Sequence, residues 1–168
     1  PCGSGLLQHH LSTEHRLTPT PTTSVISARS VPAVTVTLAS PRLSPLARPV
    51  AIEGVGLHSG TTARAVLRPA PPDTGIVFVS LDRGGAEIPA EHRFARGGSL
   101  ATTLERAGSR VETVEHLLSA LSGIGIDNLR VDMDGREMPI LDGSAAPIAQ
   151  ETRSAGVVNQ RVARRYLS

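Results

Sequence analysis

The chain has 168 residues with 17 basic side chains, all arginine, against 15 acids, for a formal net charge of +2. That length holds one domain with a sizeable core and would cramp two full catalytic lobes; arginines scattered among acids argue against a nucleic-acid face, and an aromatic set of only Phe78, Phe94 and Tyr166 argues against base-stacking platforms. The single Cys2 rules out an internal disulfide and gives no support to a multi-cysteine zinc site, which suits a reducing compartment, and no apolar run approaches the roughly 20 residues that a membrane-spanning helix needs.

Residues 1–47 are rich in Ser, Thr and Pro, contain one acid (Glu14) and include the low-complexity run "TPTPTTS". The expectation is a disordered leader. Its Arg-bearing, acid-poor composition fits an organellar transit peptide as well as it fits a dispensable leader. His9, His10, Glu14 and His15 stand together there and would gather adventitious metal, but a chance grouping is the preferred explanation.

From Arg48 the composition becomes that of a folded domain, 48–168. "PVAIEGVG" and "TARAVLRP" alternate as strands, with Ala63, Ala65 and Leu67 inward, and "GVGLHSG" makes a glycine-rich turn between them. "PPDTG" signals a turn before the apolar strand "GIVFVS", and "SLATTLER" and "RVETV" give two extended segments around "AGS". Val114, Leu117, Leu118 and Leu121 form the apolar stripe of a helix with Thr113 as its N-cap. "DNLRVDMDG" is a strand carrying Leu129, Val131 and Met133, and "AAPIAQETRSAG" a second helix, with Asp142, Gly143 and Ser144 as turn and capping residues before it. The fold class is α+β, one sheet with two helices packed on a face.

Glu115 and His116 fall outside that stripe, in the first helical turn. The helix dipole favours an ionised Glu115 and a neutral His116, and a neutral imidazole is what a divalent metal requires. A carboxylate that stays off the metal can serve as general base toward water. Spacing does not establish such a site, because paired ligands on one helix stand four apart and position 120 is Ala. The plain structural reading, a dipole-complementing acid beside a surface or half-buried histidine, stands next to the catalytic one.

"GVGLHSG" (54–60), "RPAPPDTGIVF" (68–78), "TVEHLLSALSGIGIDN" (113–128) and "MPILDGSAAP" (138–147) together resemble the amino-terminal half of the UDP-3-O-acyl-N-acetylglucosamine deacetylase family. These are zinc amidases of lipid A biosynthesis. The resemblance runs from about Leu46 to Leu167, in the family's order. It implies a single lobe of a two-lobe β-α-α-β deacetylase, ribosomal-S5-domain-2-like, with zinc and substrate held between lobes. It implies Zn2+ as cofactor, His116 as a zinc ligand, Glu115 as the base, and Leu57, His58, Ser99, Leu100 and Thr102 as residues near the substrate, with the turn-histidine reading of His58 equally open. The remaining ligands, a His-x-x-x-Asp pair, belong to a second lobe and are not found in this sequence. The reading is therefore a fragment, inactive alone, whose partners are UDP-3-O-acyl-N-acetylglucosamine and the missing second lobe of the same polypeptide, with no nucleic acid and no integral membrane segment. The alternative is a non-catalytic α+β scaffold or binding module. The implied location is cytoplasmic, or mitochondrial or plastid if the leader is a transit peptide.

Overall fold

The computed structural model describes residues 42–97 and 100–164. The leader expected over 1–47 thus falls largely outside the described residues, as do the His9–His15 cluster and Ser99.

Side-chain alternation builds the main sheet. In β2 (Thr62–Pro69) Ala63, Ala65 and Leu67 are buried while Arg64 and Arg68 face out, and in β8 (Leu129–Asp134) Leu129, Val131 and Met133 are buried. With β1 (Val50–Val55), β3 (Ile76–Ser80) and β4 (Ala86–Pro89) they form a five-stranded sheet ordered β1-β2-β8-β3-β4. All neighbours are antiparallel except β3 and β8. A parallel pair needs a long crossover, and the chain between β3 and β8 provides it.

The two faces of this sheet differ in chemistry. Outward, Arg64 Nε meets Glu53 Oε1 at 2.7 Å, while Asp132 receives Arg68 Nε at 2.7 Å and Arg130 Nε at 2.6 Å. Burial pushes the Asp132 carboxyl up, but the two guanidiniums outweigh it and hold the group below the usual carboxylate range. Inward, Ile52, Leu67, Phe78, Ile88 and Val131 share one core with Leu117 and Leu121 of α1 (Glu115–Ile124) and Ile148 of α2 (Ala146–Ser154). Two helices on a face of an α+β sheet is the expected architecture. Before α2, Ser144 donates its N–H and hydroxyl to Asp142 Oδ1, both at 2.9 Å, and accepts the Ala146 N–H. The Asp-Gly-Ser segment is therefore the turn read from its sequence, but the N-cap position of α2 is Ala145 and carries no side-chain cap.

Two features go beyond the expectation. The first is a second, small sheet, β5 (Ala95–Gly97), β6 (Thr102–Arg106) and β7 (Ser109–Val111), in that order. It sends Leu104 and Val111 into the main core. The second is that the folded body begins upstream of Arg48. Leu43, Ser44 and Leu46 are buried, and this segment bridges antiparallel to the chain's other end at Arg42–Ala163 and Leu46–Val157.

Candidate active site

The mouth of α1 is built by the small sheet. Thr102, at the start of β6, donates its backbone N–H to Glu115 Oε2 at 3.0 Å and accepts the Val114 N–H at 3.3 Å. The first helical carboxylate is thereby oriented by an amide as well as favoured by the dipole of its own helix. Glu115 stays half-buried and lines an open cleft of about 450 Å³ with Arg96, Leu100, Ala101 and Thr102. Leu100 and Thr102, placed near the substrate by sequence, therefore meet the expected base at one depression. His116 follows Glu115 in the same turn and is also half-buried, but it does not line that cleft.

The helix does not start as expected. Thr113 is not its N-cap; Val114 occupies that position with helical backbone angles and no side-chain cap. Thr113 instead sits in the left-handed region with φ 59°, and its hydroxyl donates to Glu137 Oε1 at 2.9 Å. A tertiary carboxylate has taken the hydroxyl that local rules assign to the helix. The apolar stripe also shifts: Val114, Leu117, Ala120 and Leu121 are buried, whereas Leu118 is only partly covered.

Glu137, absent from the candidates read from sequence, is the main buried acid of this region, only 2% exposed. Besides Thr113 it receives the backbone N–H of His58 at 2.9 Å on Oε1 and that of Ser59 at 2.8 Å on Oε2. Burial alone would raise its pKa. The hydrogen bonds from His58, Ser59 and Thr113 outweigh that and hold it at about 2. The turn carrying Leu57 and His58 is thus tied to the residue two before Glu115. Both side chains on that turn are solvent-exposed, and neither lines the Glu115 cleft. A sequence signal for Glu137 did exist: an acid in "REMP" at the end of an alternating strand, where burial is expected of neighbouring Met133 and Met138.

His116 would give a zinc ion a single imidazole donor, a part of a site and not a whole one. Zinc takes three or four protein ligands, and among the described residues no group of three His, Cys, Asp or Glu comes together.

Residues 44–168 match the family model described as UDP-3-O-acyl N-acetylglycosamine deacetylase. The chain is similar to proteins named UDP-3-O-acyl-N-acetylglucosamine deacetylase from Myxococcus xanthus (strain DK1622), 54% identical over 123 residues, and Legionella pneumophila (strain Corby), 50% identical over 115 residues. A third, from Anaeromyxobacter sp. (strain Fw109-5), is 49% identical over 122 residues. These matches take in 73%, 68% and 73% of this chain but 39%, 38% and 40% of the relatives, so the chain spans about two fifths of their length.

Proposed function

The chain belongs to the UDP-3-O-acyl N-acetylglycosamine deacetylase family, and from that premise we propose that it is the first lobe of an enzyme hydrolysing the N-acetyl group of UDP-3-O-acyl-N-acetylglucosamine in lipid A biosynthesis. The observation that carries this reading is the Glu115 carboxylate, held by the Thr102 amide at the rim of an open cleft. In this scheme Oε2 keeps the Thr102 bond while Oε1 takes a proton from the attacking water. The water oxygen bonds to the acetamide carbon, the C–N bond breaks as the nitrogen takes the proton that Glu115 carries, and acetate leaves. The half-buried setting keeps the carboxylate oriented yet reachable by substrate. Exposed Leu57 and Leu100 offer apolar surface to the 3-O-acyl chain.

Zinc is the proposed cofactor, supplying Lewis acidity toward the carbonyl when bound. His116 would be its ligand from this lobe, and the other donors belong to a second lobe. Location in the cytoplasm, where a nucleotide sugar would be met, is part of the same proposal.

The test is acetate release from UDP-3-O-acyl-N-acetylglucosamine by the full chain mixed with the remaining part of the Myxococcus xanthus relative. Activity is expected from the mixture and not from either part. Glu115→Gln should lower it by about 10²- to 10⁴-fold, the usual worth of a general base. A mixture whose rate is indifferent to Glu115→Gln would overturn the assignment.

A further inference from the structure

Glu137 is a nearly buried, ionised carboxylate with no place in the chemistry above, and its bonds converge from two separate segments. From one side come the backbone amides of His58 and Ser59; from the other comes the Thr113 hydroxyl, just ahead of α1. The strand entering the helix is fastened to the same place, since Glu112 donates its N–H to the Arg136 carbonyl at 2.8 Å and accepts the Met138 N–H at 3.0 Å. The turn is shaped around the carboxylate. A Cβ at Gly56 would lie 2.4 Å from Glu137 Oε2 and 2.4 Å from the Ser59 hydroxyl, so a side chain there cannot coexist with this anchor. Thr113 holds a left-handed conformation that a β-branched residue adopts only under constraint, and the Glu137 bond supplies one.

A buried carboxylate stabilised only for folding would need donors from anywhere. Among the described residues, each hydrogen-bond partner of the Glu137 carboxylate lies either on the turn bearing Leu57 and His58 or at the mouth of the helix bearing Glu115 and His116. We propose that Glu137 is a positioning residue of this site: its carboxylate locks the Leu57–His58 turn in register with the mouth of α1, so that His58 is presented to substrate from a fixed backbone. The inference deepens the deacetylase reading and rests on it for the role of His58, while the lock itself is tested without activity.

Amide hydrogen exchange on the full chain reads the lock directly. Glu137→Gln keeps the shape but replaces one acceptor oxygen with an NH2 group facing a donor. The His58 or Ser59 amide should then exchange about 10- to 100-fold faster, the weight of a charge-assisted bond, while Val66 and Val131 in the sheet keep their protection. Gly56→Ala, which leaves Glu137 in place, should give the same local loss, and it carries the test if Glu137→Gln unfolds the sheet as well. Turn amides that stay protected in both variants would overturn the proposal.

With the second lobe supplied, Glu137→Gln and His58→Ala should each lower kcat/KM at least about tenfold. The double variant should be no worse than His58→Ala, because the two act as a unit. Additive losses, or a silent Glu137→Gln, would also overturn it. If the unsubstituted mixture has no deacetylase activity, the deacetylase reading fails while the exchange data still judge the lock.

Discussion

The Glu137 carboxyl titrates at about 2 in the folded chain against 4.5 as a free side chain. A carboxyl depressed by folding contributes stability that is complete above its unfolded pKa and is lost as pH falls toward the folded value. For Glu137 this amounts to on the order of 3 kcal/mol, disappearing between about pH 4.5 and pH 2. The gap between urea melts of wild type and Glu137→Gln should therefore shrink by roughly half or more between about pH 6 and pH 3. Parallel curves, with the same gap at both pH values, would contradict the assignment of this acid limb to Glu137. Sequence could mark this acid but not its partners. His58 lies 79 residues and Thr113 24 residues from Glu137, and the "REMP" stretch contains no local sign of either. The placement of Glu115 and His116 in the first turn of α1 was legible because an apolar stripe frames it within a dozen residues.

Among the elements, those with a complete period were readable and those defined by partners were not. β2, β8 and α1 each carry enough alternating or 3.6-spaced apolar residues to declare themselves. β4 and β5 are four and three residues long, follow glycines or 3-10 turns, and exist only because a neighbouring strand pairs with them. The Thr113 cap failed for the same reason, since a distant carboxylate competed for its hydroxyl. The β6–β7 hairpin offers a direct check of backbone chemistry. Its two turn residues, Ala107 and Gly108, have φ 50° and 79°, the left-handed pair that suits a two-residue hairpin. Alanine is strained there and glycine is not. Ala107→Gly is expected to stabilise the protein by about 0.5–1 kcal/mol, raising Tm by a few degrees. A lowered melting temperature would show that chain entropy outweighs the relief of strain.

At the scale of the whole molecule, the described ends close the fold on itself. Ser44 donates its N–H to Asp127 Oδ2 at 2.9 Å, Arg164 Nη2 meets the same oxygen at 2.7 Å, and Gln160 donates to the Leu43 carbonyl at 2.8 Å. Leu46, 1% exposed, plugs the core from this strap. Leu46→Ala should cost about 2–5 kcal/mol, seen as a lower urea midpoint; an unchanged midpoint would mean that the strap is decoration. In this body Glu137 ties the glycine-rich turn to the segment entering α1, and the proposal is that catalysis begins where a second lobe meets the helix mouth. The most direct measurement pairs bound zinc with acetate release in the chain mixed with the rest of the Myxococcus xanthus relative. Glu115→Gln should retain zinc and lose turnover, whereas His116→Ala should lose both. If zinc content and rate survive His116→Ala, the helix mouth is not half of a hydrolytic centre.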